Sequence, residues 1–153
     1  HTPFRGCNHV TFPWRGGGGE KLLREEMMKE IIRVNLLGLP PTVNHLYKTS
    51  KNGIRYKTPQ GREWQNTTAA IIAMAKTNRK PYSGDVALEV LFQTADRRRW
   101  DLDNRVKALQ DCLAMAGVIE DDRQIQRLHV ERQTGPKTAT VVTVLELGEG
   151  EQK

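Results

Sequence analysis

Between residues 30 and 147 the hydrophobic residues change spacing several times, from every second residue to every third or fourth and back again. The shorter spacing is typical of a half-buried strand, and the longer one is typical of a helix with one apolar face. Strand spacing occurs at Ile32, Val34 and Leu36, at Val86, Leu88, Val90 and Phe92, from Ile125 to Glu131, and from Thr140 to Leu147. Helical spacing occurs at Trp64, Thr68, Ile71, Ile72 and Ala75, and at Val106, Leu109, Leu113 and Ala116.

Residues that start or stop helices stand where these stretches meet. Thr58 can cap a helix, and Pro59 suits the first turn because the N–H that proline lacks has no helical partner there. Gly117 is a typical helix stop, and Gly135-Pro136 predicts a turn between the last two strands. The order strand, hairpin arm, helix, strand, helix, strand, strand predicts an α+β fold, with two helices packed on one face of a mixed β-sheet.

The hairpin arm is predicted between the first strand and the first helix. Asn52-Gly53 is a strong hairpin signal. Basic and aromatic residues are interleaved around it, at Tyr47, Lys48, Lys51, Arg55, Tyr56 and Lys57. Cations bind phosphates and rings lie beside sugars or exposed bases, so the arm suits a grip on a nucleic-acid backbone. A plain solvated hairpin is an equal alternative at this point.

Composition sets the broad class of protein. The chain has 153 residues, 37% hydrophobic and 27% charged, which is typical of one ordinary globular domain. A net charge of +6 favours a polyanionic partner, either nucleic acid or an anionic membrane surface. No apolar run approaches the length of a membrane span. Cys7 and Cys112 lack the spacing of a disulfide framework or a zinc site, so a reducing cytoplasm is the expected location.

Three segments are expected along the chain. Residues 1–29 have no hydrophobic period and contain four consecutive glycines. They predict either a disordered extension or a translation start assigned too early, with Met27 or Met28 as the true first residue. Residues 30–147 form the folded domain, and residues 148–153 form a C-terminal tail.

The residues best suited to chemistry lie between Asp101 and Asp122. Asp101 and Asp103 stand where extended chain passes into the second helix, and at this spacing both carboxylates point to the same side. Lys107 follows Asp103 by four residues, which is one helical turn. Asp122 comes after the helix, so it reaches the first two aspartates only if the chain returns along the helix.

Such a set suits the cleavage of a phosphodiester. Mg²⁺ prefers oxygen ligands, and a bound metal polarises the phosphoryl oxygen and activates water. A neighbouring lysine stabilises the negative charge that develops on the phosphate. The basic run Arg97, Arg98 and Arg99 can hold adjacent phosphates.

A purely structural explanation of the same residues stays open. Asp101 could cap the helix, and Asp103 could be a first-turn acid favoured by the helix dipole. Lys107 could form ordinary surface pairs with Asp103 and Asp111. Asp121-Asp122 could be a polar turn. On the D-x-D pattern alone, the structural explanation is favoured.

The combination of motifs is more specific than any one of them. DLDNRVKALQDCLAMAGVIEDDRQI contains D-x-D-N, a lysine four residues after the second aspartate, a helix, a glycine and a D-D pair. Upstream, residues 40–47 read PPTVNHLY, and three arginines precede the acidic motif. This pattern resembles the RusA family of Holliday junction resolvases over roughly residues 30–147. Trp100 departs from the family pattern, and the first thirty residues have no counterpart in it.

The resemblance implies a site and a reaction. Asp101, Asp103 and Asp122, the second of the pair, would bind Mg²⁺, with Mn²⁺ as a substitute, and Lys107 would be catalytic. The family forms homodimers that bind four-way or branched DNA and resolve Holliday junctions by paired symmetric nicks, in DNA recombination and repair. Two roles stay open for Trp100, either stacking on an unpaired base or packing in the core.

Two other functions stay open. One is a non-catalytic branched-DNA-binding protein of the same fold. The other is a metal-dependent enzyme acting on RNA or on small phosphate esters, although a long basic arm has no obvious use with a small substrate. The residues expected to contact DNA are Tyr47, Lys48, Lys51, Arg55, Lys57, Arg97, Arg98, Arg99 and Trp100.

Overall fold

The computed structural model describes residues 28–147, which contain six strands and three α-helices. The strands are β1 (Glu30–Leu37), β2 (Tyr47–Thr49), β3 (Arg55–Lys57), β4 (Val86–Thr94), β5 (Ile125–Thr134) and β6 (Ala139–Glu146). The helices are α1 (Val43–Leu46), α2 (Pro59–Ala75) and α3 (Val106–Met115), with 3₁₀ turns at Asp103–Arg105 and Asp122–Gln124. The predicted α+β fold is confirmed, and the element order is compatible with the expected one. The expectations for residues 1–27 and 148–153 lie outside the described residues.

Four of the strands form one mixed sheet in the order β1-β6-β4-β5. β6 runs antiparallel to both of its neighbours, whereas β4 and β5 are parallel. Because β5 and β6 lie on opposite sides of β4, the predicted turn at Gly135-Pro136 carries the chain past the end of β4. There the Gly135 N–H donates to the Thr94 carbonyl at 2.9 Å.

Helices α2 and α3 pack on one face of this sheet, as predicted. The alternate residues of the strands face them and form one buried cluster with both helices, comprising Ile32, Val34, Leu36, Val86, Leu88, Val90, Phe92, Val142 and Val144 from the sheet and Ala69, Ile72, Val106, Leu109, Leu113 and Ala116 from the helical side. Removal of this apolar surface from water is the main favourable term in folding. Cys112 is fully buried in the same cluster, and burial raises the pKa of its thiol to about 12.

The buried face of α2 differs from the predicted one. Ile71 is 45% exposed and Ala75 is exposed, whereas Gln65 is only 1% exposed. The prediction for Ile71 and Ala75 is therefore wrong. The helix is turned toward its polar residue because Gln65 hydrogen-bonds to α3, and because Gly61 lets Leu46 of α1 come close. A Cβ atom on Gly61 would lie 2.9 Å from Leu46 Cδ1. These tertiary contacts outweigh the apolar spacing of the sequence.

The predicted hairpin and helix cap are both present. β2 and β3 pair antiparallel, and the Ser50 N–H donates to the Ile54 carbonyl at 2.8 Å to close a three-residue loop. Gly53 has a φ of +82°, a conformation that glycine adopts without steric cost. The Thr58 hydroxyl oxygen accepts from the Gly61 N–H at 2.9 Å, and Pro59 begins α2. Among residues 28–147, no helix is long and apolar enough to cross a membrane.

Candidate active site

Asp101 and Asp103 lie on exposed chain that leads from β4 toward α3. The 3₁₀ turn and α3 have Leu102 and Arg105 at their N-cap positions, and neither end has a side-chain cap. Asp101 is therefore not a helix cap, which removes that part of the structural explanation. Within residues 28–147, neither carboxylate takes part in a hydrogen bond or an ion pair. Both carboxylates are thus available to a ligand.

The chain does return along α3. Gly117 follows the helix with a φ of +79°, its N–H donates to the Ala114 carbonyl at 3.1 Å, and the Val118 N–H donates to the Leu113 carbonyl at 3.0 Å. This pair of bonds is a Schellman motif, which ends a helix and reverses the chain. Val118 is fully buried, so the returning chain is packed against the core.

The return brings Asp122 to Lys107, near the start of α3. Lys107 Nζ lies 2.9 Å from Asp122 Oδ2 and 3.1 Å from Asp111 Oδ1. The hydrogen bond to Asp122, helped by the bond and charge of Asp111, raises the pKa of Lys107 against the opposing effect of burial. The ammonium is therefore charged at neutral pH. We call Lys107, Asp111 and Asp122 the Lys107 cluster.

Asp111 is more than an i, i+4 partner of Lys107. Its Oδ2 atom accepts from the Tyr47 hydroxyl and from Gln65 Nε2, each at 3.3 Å. Tyr47 begins β2 of the arm, and Gln65 is buried on α2, so Asp111 joins three elements. Burial, followed by the charge of Asp111, raises the pKa of the Tyr47 hydroxyl, which keeps it a proton donor.

The two aspartates of the D-D pair have different roles in the fold. Asp121 caps the 3₁₀ turn, and its Oδ1 accepts from the Arg123 N–H at 2.8 Å and from Arg123 Nε at 3.2 Å. These hydrogen bonds lower the pKa of Asp121 to about 2. The polar-turn explanation therefore holds for Asp121. Asp122 is directed instead to Lys107.

Gln124 fixes the D-D pair against the start of β4. Its Oε1 accepts from the backbone N–H groups of Glu120 and Asp121 at 2.7 and 2.9 Å. Its Nε2 donates to the carbonyls of Tyr82 and Gly84 at 2.6 and 2.7 Å. All hydrogen-bonding capacity of this amide is thus used to hold one loop against another.

The basic run and Trp100 separate into two environments. Arg97 and Arg99 are exposed, and Arg98 is also exposed while lying 3.7 Å from the Asp96 carboxylate. The Trp100 ring is half-buried and packs edge-on against Phe92, with ring centroids 5.3 Å apart. The structure thus favours the packing alternative for Trp100 over base stacking.

The arm presents its cations to solvent. Lys48, Lys51 and Arg55 are exposed, and Lys57 is half-buried. The Arg55 guanidinium lies 4.2 Å from the centre of the Tyr47 ring, a cation–π contact that covers one part of the ring. Tyr47 is therefore tied to the site and to the arm rather than free to meet a base.

The three aspartates expected to bind metal are not gathered as a finished ligand set. Among residues 28–147, no group of three or more His, Cys, Asp and Glu side chains is arranged to hold a metal ion. The donor chemistry nevertheless fits Mg²⁺, because Asp101, Asp103 and Asp122 offer only carboxylate oxygens and Mg²⁺ usually keeps several waters beside one or two carboxylates.

Comparison with known proteins identifies the family that carries this arrangement. A family model described as Endodeoxyribonuclease RusA matches residues 38–145, which is most of the chain. The match includes all of the acidic segment, by which we mean Asp101 to Asp122. The chain belongs to the RusA family. The resemblance seen in the sequence is thereby confirmed.

Individual relatives carry the RusA name and match over most of their length. The crossover junction endodeoxyribonuclease RusA of Aquifex aeolicus is 28% identical over 109 residues, covering 68% of this chain and 82% of the relative. The protein of that name from Enterobacteria phage HK97 is 32% identical over 97 residues, covering 63% and 79%. That of Escherichia coli strain K12 is 30% identical over 110 residues, covering 71% and 90%.

Two residues of this RusA site were not recognised as functional candidates in the sequence. Gln65 interrupts an apolar helix face, which is a usable signal, but its partner on α3 lies 46 residues away. Asp111 was visible only as a surface pair of Lys107. The RusA motif itself does not reveal that Asp111 also contacts the arm.

Proposed function

We propose that this protein is a Mg²⁺-dependent, structure-selective endodeoxyribonuclease that resolves Holliday junctions by paired symmetric nicks. The observation that carries the proposal is the 2.9 Å contact between Lys107 and Asp122, because it brings the second aspartate of the D-D pair back to the lysine near the start of α3. The relatives are named crossover junction endodeoxyribonucleases, which supports four-way DNA as the substrate. A role in DNA recombination and repair follows from that substrate, and a cytoplasmic location stays a prediction.

In this proposal Asp101, Asp103 and Asp122 hold Mg²⁺, or Mn²⁺ in its place. A bound divalent ion would polarise the phosphoryl oxygen and lower the pKa of a coordinated water. Because Asp101 and Asp103 are exposed and unpartnered within residues 28–147, they can turn to a common ligand without breaking a contact. Asp122 shares the Lys107 ammonium with Asp111.

Lys107 acts on the phosphate in this proposal. Its ammonium is charged, half-buried and held beside Asp122 before any substrate arrives. A charge positioned in advance stabilises a transition state better than one that must reorganise, because no free energy is spent on orientation during the reaction. Lys107 therefore stabilises the negative charge that develops on the cleaved phosphodiester.

The exposed cations bind the remainder of the junction. Lys48, Lys51 and Arg55 on the arm, and the arginines at 97–99 just before Asp101, are exposed and can neutralise phosphates of the bound DNA. A homodimer would present two such sites related by two-fold symmetry, which matches the paired nicks in an opened four-way junction.

A non-catalytic branched-DNA-binding protein is the second candidate. It is favoured by one observation, the lack of a finished three-carboxylate group within residues 28–147. The same surface of exposed cations would then bind junctions, while Lys107 and Asp122 would only stabilise the fold.

One experiment separates the two candidates. The purified protein is incubated with a synthetic four-way junction and with a linear duplex of the same sequence, each with Mg²⁺, Mn²⁺ or EDTA. We expect symmetric nicks in the junction alone, dependent on the metal and lost on Asp101→Asn. Glu146→Gln, which removes one carboxylate charge outside the acidic segment, is the matched control. Tight junction binding without cleavage in either metal would establish the binding protein instead.

A further inference from the structure

Asp111 is placed differently from an ordinary surface acid. It lies one helical turn after Lys107 on α3, and only 18% of its side chain is exposed. Its two carboxylate oxygens are divided between two functions. Oδ1 accepts from the Lys107 ammonium, and Oδ2 accepts from Tyr47 and Gln65. The carboxylate therefore cannot rotate freely, and the direction of its bond to Lys107 is fixed by the other two partners.

Of these two partners, Gln65 is the one whose burial costs more free energy. It is 1% exposed on a helix face that otherwise buries small and apolar side chains, and its Oε1 has no hydrogen-bond partner within residues 28–147. A buried polar group is unfavourable unless it is hydrogen-bonded. The fold thus keeps a buried amide here whose one side-chain bond is the donation from Nε2 to Asp111.

Tyr47 links the same carboxylate to the arm. It is the first residue of β2, its hydroxyl donates to Asp111, and its ring lies under the Arg55 guanidinium. Arg55 begins β3, so β3 is linked to Asp111 through the Tyr47 ring. The Arg55 cation on the arm is then three contacts away from Lys107, through Tyr47 and Asp111.

We propose that Asp111 is a positioning residue, which holds the Lys107 ammonium in place and connects it to the arm through Tyr47. A lysine side chain has four rotatable bonds, so an ammonium held by Asp122 alone would lose its position whenever Asp122 turned to another ligand. Asp111 keeps a second contact that does not involve the Asp101, Asp103 and Asp122 carboxylates. The inference rests on the proposed function, because it assumes that Lys107 acts on the cleaved phosphate.

The test uses Asp111→Asn in the full-length protein, with Glu146→Gln as the control for loss of one carboxylate. Asparagine has nearly the same shape, but it carries no charge for Lys107 and cannot accept from three donors at once. We expect single-turnover cleavage of a four-way junction to fall about tenfold, with metal-free junction affinity nearly unchanged. In a Lys107→Ala background, Asp111→Asn should cause no further loss, because the two residues act as one unit.

Equal losses in both backgrounds would overturn the proposal, since Asp111 would then act through the fold and not through Lys107. Tyr47→Phe removes one donor to Asp111 without changing charge, and it serves if Asp111→Asn does not fold. We expect it to lower the cleavage rate less than Asp111→Asn does and, again, only when Lys107 is present. A loss that persists without Lys107 would count against the link to the arm.

A readout without cleavage separates this inference from the proposed function. The ¹H–¹⁵N correlation spectrum of lysine ammonium groups is recorded on the metal-free protein. We expect the Lys107 signal to be visible in the wild type and in Glu146→Gln, and to broaden or vanish in Asp111→Asn. Loss of this signal in a protein that cuts no junction would support the positioning role and reject the nuclease. An unchanged signal in Asp111→Asn would reject the positioning role, whatever the protein cleaves.

Discussion

The two ends of the acidic segment differ in how the fold treats their carboxylates. At one end Asp101 and Asp103 are exposed and have no partner within residues 28–147. At the other end Asp122 and Asp111 share the Lys107 ammonium, and Asp111 is joined to α2 and to the arm. Both ends belong to one motif, yet only the second is built into the structure.

This difference separates carboxylates that are free to bind a ligand from carboxylates that stabilise the fold. An exposed carboxylate without partners contributes little to stability, so its substitution should leave the fold intact. A half-buried carboxylate with several donors contributes to stability and also orients its neighbours. Substitutions at the first end should therefore change chemistry alone, whereas those at the second end should change chemistry and stability together.

The largest effect is expected at the unpartnered end. Asp103→Asn should reduce cleavage below detection, because the proposed metal site would lose one of its charged ligands. Junction binding should be kept or strengthened, since repulsion between the carboxylate and phosphate falls while the basic surface is intact. A gel shift with metal-free protein measures the binding. Loss of binding in a folded variant would contradict the separation of the two ends.

The next effect concerns the ammonium. Lys107→Ala should slow single-turnover cleavage about a hundredfold, which is typical of removing one preorganised charge from a transition state. Its effect on junction affinity should be much smaller, because many other cations contact the backbone. Rates and dissociation constants are measured on the same junction. Similar losses in both quantities would mean that Lys107 only anchors a phosphate.

A stability comparison tests the difference directly. Asp122→Asn should lower the free energy of unfolding by about 1 kcal/mol or less, because the Lys107–Asp122 pair is partly exposed and screened by solvent. Asp103→Asn should change that free energy by less than about 0.5 kcal/mol. Urea unfolding of metal-free protein measures both. Equal changes would show that Asp122 is no more part of the fold than Asp103.

The smallest expected effect is a pH dependence of stability that distinguishes Asp121 from Asp122. The pKa of Asp121 is lowered in the folded protein to about 2 by its bonds to Arg123, so its charged form stabilises the fold. That contribution is present above the ordinary pKa of 3.8 and is lost as the pH falls toward 2. The stability difference between the wild type and Asp121→Asn should therefore be small at pH 6 and disappear as the pH falls below 2. A difference that grows at low pH would have the wrong sign.

Local rules in the sequence predicted much of the fold. The strand residues Val86 to Phe92, the stop at Gly117 and the cap at Thr58 depend on the chain within a few residues, and all are confirmed. The family was predicted from the acidic motif, whose spacing is local as well. The approach of Asp122 to Asp101 and Asp103 was conditional on a return of the chain along the helix, because sequence spacing does not show where the chain goes after the helix.

What the sequence could not give depends on partners far along the chain. Ile71 was expected in the core because of its spacing, but α2 is rotated by the bond between Gln65 and Asp111, which joins two helices. The indole of Trp100 suits either an unpaired base or the core, and its packing against Phe92 depends on the fold. In each case the side chain suits two environments. A contacting residue that the local sequence pattern does not identify determines which of them it occupies.

The Schellman turn at Gly117 affects how the site forms during folding. Because the chain reverses there, the residues that meet in the Lys107–Asp122 contact are only 15 positions apart. Contacts of such short sequence separation lose little chain entropy on closing and are favoured early in folding. The proposed reactive groups therefore lie on one continuous segment of about two dozen residues, which can form its contacts locally. The arm, by contrast, reaches that segment only when the domain as a whole has folded.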